Sequence, residues 1–207
     1  MINSLSDAVY IGYGEEKCGI GSSKFWGAPD IPEDFDWPVD ADGYDMDFIC
    51  QIRTRDIDPD NKVFAKSGIL YFFGCIASAL GYEDAPPITP GYQPDGYFAV
   101  RFSAAAEEEL QYGEIVDDDG EPVGFGELKM EFSNDENAFS SALHQALGEP
   151  PEQAEEADGE ALLLCVDSFA GRDFTLEFED SGYLYFLIKA DELGRGDFGS
   201  VRAYLSV

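Results

Sequence analysis

Seven residues, SGILYFF at Ser67–Phe73, return as SGYLYFL at Ser181–Leu187, a Ser-Gly-x-Leu-Tyr-Phe frame repeated 114 positions apart. Five of the seven residues match. A short, glycine-started aromatic run bounded by turn residues reads as a buried strand, so the fold must supply two similar buried strand sites. Upstream of each copy lies another strand-like apolar run with a cysteine, FICQI around Cys50 and LLLCV around Cys165, at an offset of 115. Further upstream, WGAPDIP at Trp26 and LGEPPEQ at Leu147 share Gly-x-Pro at an offset of 121. Two copies imply a pseudo-symmetric domain rather than a solenoid. The expectation is one domain over residues 1–207, with half-repeats at roughly 18–75 and 140–190 and a hairpin region at 92–133 between them.

In that intervening region GYFAVRFS and GELKMEFS both alternate apolar and polar residues, with the turn signal DDDGEPVG between them. Alternation on both sides of an Asp-Gly turn predicts an antiparallel hairpin or meander. Over Asp135–Leu147 the apolar Ala138, Phe139, Ala142, Leu143, Ala146 and Leu147 recur at helical spacing, after candidate caps at Ser133–Asp135 and before Gly148. That pattern predicts a helix carrying His144. Glu149–Glu160 reads as an acidic, proline-bearing linker and Val201–Val207 as a last strand paired within a sheet. The fold class expected is therefore α+β, mostly antiparallel β.

Of 207 residues 44% are hydrophobic, enough for a sizeable core, yet 43 acidic residues stand against 12 basic ones, a net charge of −31. A surface of that sign repels phosphate backbones and anionic lipid, which excludes nucleic acid and membrane as partners and favours a basic protein. No basic leader with an apolar core precedes the first strand, and no apolar run of about 18 residues occurs, so a cytoplasmic monomer or weak homodimer is expected. Cys18, Cys50, Cys75 and Cys165 lack CxxC spacing and read as reduced core thiols rather than a zinc set.

Motifs for chemistry are sparse, and no cofactor or metal is expected. CGIGSSK at Cys18–Lys24 lacks the spacing of a phosphate loop. DFDWPVDADGYDMDF fails as a calcium loop because Pro38 falls where a carboxylate is needed, and VDDDGEP fails through Ile115, so both read as hairpin turns. The sole histidine, His144, has no partner motif for acid–base or nucleophilic work. The remaining candidate is SSKFWGAPDIPEDFDWP at Ser22–Pro38. Its prolines fix the backbone and Gly27 allows a tight turn, so it forms a rigid connector. Either its aromatics clasp the edge of the core, or Lys24, Phe25, Trp26 and Trp37 line a groove with Gln51 and Tyr71 across the sheet, a site for a partner or a small molecule.

The blocks SKFWGAPDIPEDFDWP, FICQI, GILYFF, HQALGEP, LLLCVDS, SGYLYFLI and DFGSVRAYL, in that order, resemble the successive blocks of the YwqG family of bacterial proteins of unknown function. The likeness spans nearly the whole chain from about Cys18. At Trp26 the family often has Gly and at Ala28 often Leu, so the clasp here is bulkier. The resemblance implies a shared fold and no established activity. Such proteins are encoded in toxin-rich bacterial neighbourhoods, which together with the acidity implies a non-catalytic, toxin-neutralising binding role. The alternative is a small-molecule binder or enzyme using the Lys24–Trp37 loop.

Overall fold

Almost every apolar run in the chain becomes a strand. The computed structural model describes residues 7–14, 16–82, 85–113, 126–139, 143–154, 159–170, 175–179 and 181–207. Its first strands are β1 (Val9–Gly14), β2 (Lys24–Phe25), β3 (Asp30–Pro32), β4 (Asp47–Arg53), β5 (Ile69–Gly74), β6 (Gly91–Tyr92), β7 (Phe98–Ser103) and β8 (Leu110–Tyr112). There follow β9 (Leu128–Ser133), β10 (His144–Ala146), β11 (Glu160–Asp167), β12 (Phe169–Ala170), β13 (Thr175–Leu176), β14 (Tyr183–Lys189) and β15 (Arg202–Ser206). Two short helices, α1 (Thr54–Ile57) and α2 (Ala190–Arg195), and two single 3₁₀ turns complete the described elements.

Eleven strands form one sheet in the order β6-β15-β14-β11-β10-β1-β9-β2-β4-β5-β7, curled into a half-barrel, and helix makes up only 10% of the structure. The protein is thus nearly all β, and the α+β expectation is wrong. The error lies at Asp135–Leu147. Residues 140–142 fall outside the described residues, but Glu136–Asn137 form a turn and His144–Ala146 form β10. The slot between β1 and β11 pairs this segment on both sides, and tertiary pairing overrides a helical apolar spacing. The expected hairpin of GYFAVRFS with GELKMEFS is also absent. β7 closes one end of the sheet against β5, whereas β9 lies in the middle between β1 and β2. Period-two alternation specifies a strand and its faces but not its partner. The turn DDDGEPVG lies outside the described residues. β15, in contrast, pairs with β14 as the terminal strand should.

The repeated segments occupy matching places. Gln51 pairs with Tyr71, and 114 positions later Cys165 pairs with Tyr185. Each strand pair carries a bulge, at Ile49 and at Leu163. The true counterpart of Cys165 is therefore Gln51, one residue away from the cysteine match read in the sequence. The weak Gly-x-Pro similarity has a geometric basis: Trp26 and Leu147 both take left-handed φ values of 56° and 59°, each followed by a glycine at positive φ. Both donate backbone N–H to the bulge residue, Trp26 to Ile49 O at 3.0 Å and Leu147 to Leu163 O at 3.3 Å. β1 and β9 meet antiparallel at the centre, and each pairs on its outer side with the other half's strand, β1 with β10 and β9 with β2.

The glycine of each frame is required by close approach. A Cβ on Gly68 would meet the Ser103 carbonyl oxygen and the Phe102 ring, and one on Gly182 would lie 2.7 Å from the carbonyl oxygens of Phe178 and Ser206. Gly68→Ala and Gly182→Ala are each expected to cost about 1–3 kcal/mol, because the clash is with backbone that cannot rotate away. Urea unfolding checks this, and a change below about 0.5 kcal/mol in both would show that the strands are not so tightly juxtaposed.

One face of the sheet carries the main core, including Ile11, Phe25, Cys50, Phe72, Leu164 and Phe186. The opposite face holds two smaller clusters, one per half. Phe48, Ile69, Tyr71 and Phe73 gather in the first, and Leu162, Cys165 and Leu187 in the second. Over the first cluster β3 and β8 pair as a separate ribbon.

Candidate functional site

Ser22–Pro38 leaves β2, turns through Trp26 and Gly27, and returns as β3 over the outer face of β4 and β5. Strand alternation sends Lys24 outward to that face and Phe25 inward to the core. Lys24 is fully buried beneath the ribbon, a position an ammonium tolerates only with a counterion. Asp30, also fully buried, provides it. Lys24 Nζ lies 3.3 Å from both Asp30 carboxylate oxygens and 3.5 Å from Glu127 Oε2, and stands 5.2 Å from the centre of the Tyr112 ring.

Gln51 and Tyr71 complete the cluster. Gln51 Nε2 donates to Asp30 Oδ2 at 2.7 Å and to Ser22 O at 2.8 Å, while its Oε1 accepts from Asp30 N at 2.7 Å. Gly21 N donates to Asp30 Oδ2 at 2.8 Å, and the Tyr71 hydroxyl donates to Asp30 O at 2.6 Å. Burial, with Asp30 adding to it, pushes the Tyr71 phenol up, so it remains a donor. Asp30 thus accepts hydrogen bonds at its carboxylate and its carbonyl and donates one through its own N–H, and it ties the clasp to the sheet.

The structure divides the six sequence candidates between two faces. Lys24, Gln51 and Tyr71 converge on Asp30. Trp37 lies on the same face but farther along, packing edge-on to Phe73 at 5.0 Å and donating Nε1 to Met46 O at 3.1 Å. Phe25 and Trp26 point into the main core, where Phe25 lies 4.7 Å from the His144 ring. Sequence reasoning missed Asp30 and Glu127. The available signal was Lys24 itself, set between an apolar clasp and an aromatic, which demands a carboxylate nearby. Two clefts of about 270 and 370 Å³ lie elsewhere, the first lined by Arg53, Arg55 and Ser67 and the second by Gln93–Gly96 and Gly199–Ala203; neither is lined by a sequence candidate.

Burial shifts the histidine and the four thiols away from their charged forms. His144 sits on β10, wholly buried, with Nδ1 accepting from Asp167 N at 3.0 Å, and desolvation pushes its pKa down to about 3. Burial pushes the thiols of Cys18 and Cys75 up to about 11 and those of Cys50 and Cys165 higher still. Among the described residues no group of three or more His, Cys, Asp or Glu is placed to hold a metal ion. The Asp40–Tyr44 stretch is a hairpin turn, Asp40 Oδ1 accepting from the N–H groups of Asp42 and Tyr44. Among the described residues no helix is long and apolar enough to cross a membrane.

These features define a curled antiparallel half-barrel with an internal ion pair locking a proline-rich clasp. The chain belongs to the family described as domain of unknown function DUF1963, whose model matches residues 23–147, more than half of its length. That span contains Lys24, Asp30, Gln51, Tyr71 and Glu127. No curated protein matches the chain.

Proposed function

We propose that this DUF1963 protein is a non-catalytic, YwqG-like binding module whose partner is a basic protein, with a toxin-neutralising, immunity-type role. The observation that carries the proposal is the charge imbalance. Among the described residues Lys24, Arg53, Lys62, Arg101, Lys129, Arg195 and Arg202 already face carboxylates within the protein, and with only 12 basic residues against 43 acidic ones a net charge of −31 is left unbalanced. Such a surface steers a basic partner and rejects acidic ones. Exposed aromatics in the same acidic surface, Tyr44 at 72% and Tyr112 at 47%, supply anchors of the kind interfaces favour. The competing small-molecule reading has little support, because Lys24, Gln51 and Tyr71 are wholly buried and direct their polar atoms at Asp30 and the clasp.

The test reverses exposed charge without touching the core. Asp42→Lys with Asp45→Lys, on the loop that presents Tyr44, is expected to slow capture of the partner about tenfold at low salt and leave thermal stability within about 2 °C. Capture of an acidic partner, or rates unchanged in the variant at low salt, would count against the proposal.

A further inference from the structure

The two halves differ in what covers their outer faces. In the first half Phe35 packs edge-on to Tyr71 at 4.9 Å, and Arg101 holds the clasp down through Asp36, with Nε donating to its carbonyl at 3.1 Å. The counterpart of Tyr71 in the second half is Tyr185, and the register partner corresponding to Arg101 is Tyr204. Among the described residues the ring neighbours of Tyr185 are Tyr183 at 6.2 Å and Tyr204 at 6.5 Å, both in the sheet itself. All three rings are half-buried, so each keeps part of its surface open. The segment Glu149–Ala154 covers this side through the Tyr204 hydroxyl, which donates to Gln153 O at 3.0 Å, and through buried Ala154. No described aromatic stands on Tyr185 as Phe35 stands on Tyr71.

We propose that this tyrosine face, floored by Tyr183, Tyr185 and Tyr204, receives arginine side chains of the basic partner. The inference rests on the reading of a basic partner given above. Three observations select a guanidinium over an apolar group. The face belongs to a protein of charge −31. Asp167, the register partner of Tyr183, sets a carboxylate at its end, one oxygen of which accepts from Leu143 N at 2.8 Å, and exposed Glu149 and Glu152 lie on the covering segment. At the edge of the same face the protein shows the interaction in miniature: the Arg202 guanidinium lies 4.2 Å from the centre of the Tyr92 ring while its Nε donates to Glu160 Oε1 at 2.9 Å. A planar cation stacked on a tyrosine with a carboxylate beside it is the arrangement an incoming arginine would find at the Tyr183–Tyr185 pair, where Asp167 lies opposite Tyr183. Lysine, a compact and strongly hydrated cation, gains less from a ring face.

The experiment compares an oligo-arginine and an oligo-lysine peptide of equal length, titrated calorimetrically into the full chain at low salt. The arginine peptide is expected to bind about tenfold more tightly, and Tyr185→Leu with Tyr204→Leu is expected to bring the two affinities together. Equal binding of both peptides to the unaltered protein, or a retained arginine preference in the double variant, overturns the tyrosine face while leaving the basic-partner reading intact. Failure of both peptides to bind overturns both. Should the double variant unfold, a spin-labelled arginine peptide added to the unaltered protein decides. Broadening of the Tyr183 and Tyr185 ring signals supports the site, and broadening confined to other residues overturns it.

Discussion

Lys24→Met is expected to destabilise the protein by about 3–5 kcal/mol, the largest effect of any single polar substitution in the first half. The substitution leaves Asp30 fully buried with its hydrogen bonds from Gly21 and Gln51 but without the cation that faces both of its oxygens. An uncompensated buried carboxylate is costly, whereas removing both charges is not, so Lys24→Met combined with Asp30→Asn is expected to recover a large part of the loss. In a chain of this size the single variant should melt about 6–20 °C lower. Thermal and urea unfolding of the two single variants and the double variant measure the coupling. A loss under about 1 kcal/mol in Lys24→Met would mean that water reaches the pair and that the clasp is not locked as described.

The second large effect is on pH. His144 titrates at about 3 when folded against 6.5 when free, because burial disfavours its charged form. Below pH 6.5 the unfolded chain takes up a proton that the folded chain refuses, so this residue's contribution is complete above 6.5 and is lost as pH falls toward 3. The slope is about 1.4 kcal/mol per pH unit across that window. Protonation at Nδ1 would also abolish its acceptance of the Asp167 N–H. The carboxylates titrate in the same range, so the informative quantity is the difference between the unaltered protein and His144→Phe. That variant gives up the bond to Asp167 and is expected to be less stable at neutral pH, but flatter with acid. Parallel stability curves between pH 6.5 and 4 would place His144 in contact with water.

Much of the fold was legible because repetition is legible. The frames at Ser67 and Ser181 marked two equivalent strands, and their glycines are now explained by the carbonyls of Ser103 and Ser206. Even the weak Gly-x-Pro match corresponded to a shared backbone turn at Trp26 and Leu147. What failed was pairing. β9 lies beside β2 and β1 rather than beside β7, and β10 is a strand held from both sides despite a helical apolar spacing. Local pattern encodes which face is buried, while the partner is decided by the closing of the whole sheet. At the site, Lys24, Gln51 and Tyr71 were legible as neighbours across β2, β4 and β5. Asp30 was not, since a carboxylate after Pro29 in a loop gives no sign that it will be folded inward.

Recruitment of a basic protein by the acidic surface is decided by the association rate of the captured partner as salt is raised from about 0.05 to 0.5 M. Screening shortens the reach of exposed charge from beyond 10 Å to a few ångströms over that range. The on-rate is expected to fall at least tenfold with little change in the dissociation rate. An on-rate indifferent to salt, with binding abolished instead by Trp37→Ala, would contradict such recruitment and make the aromatic clasp the site.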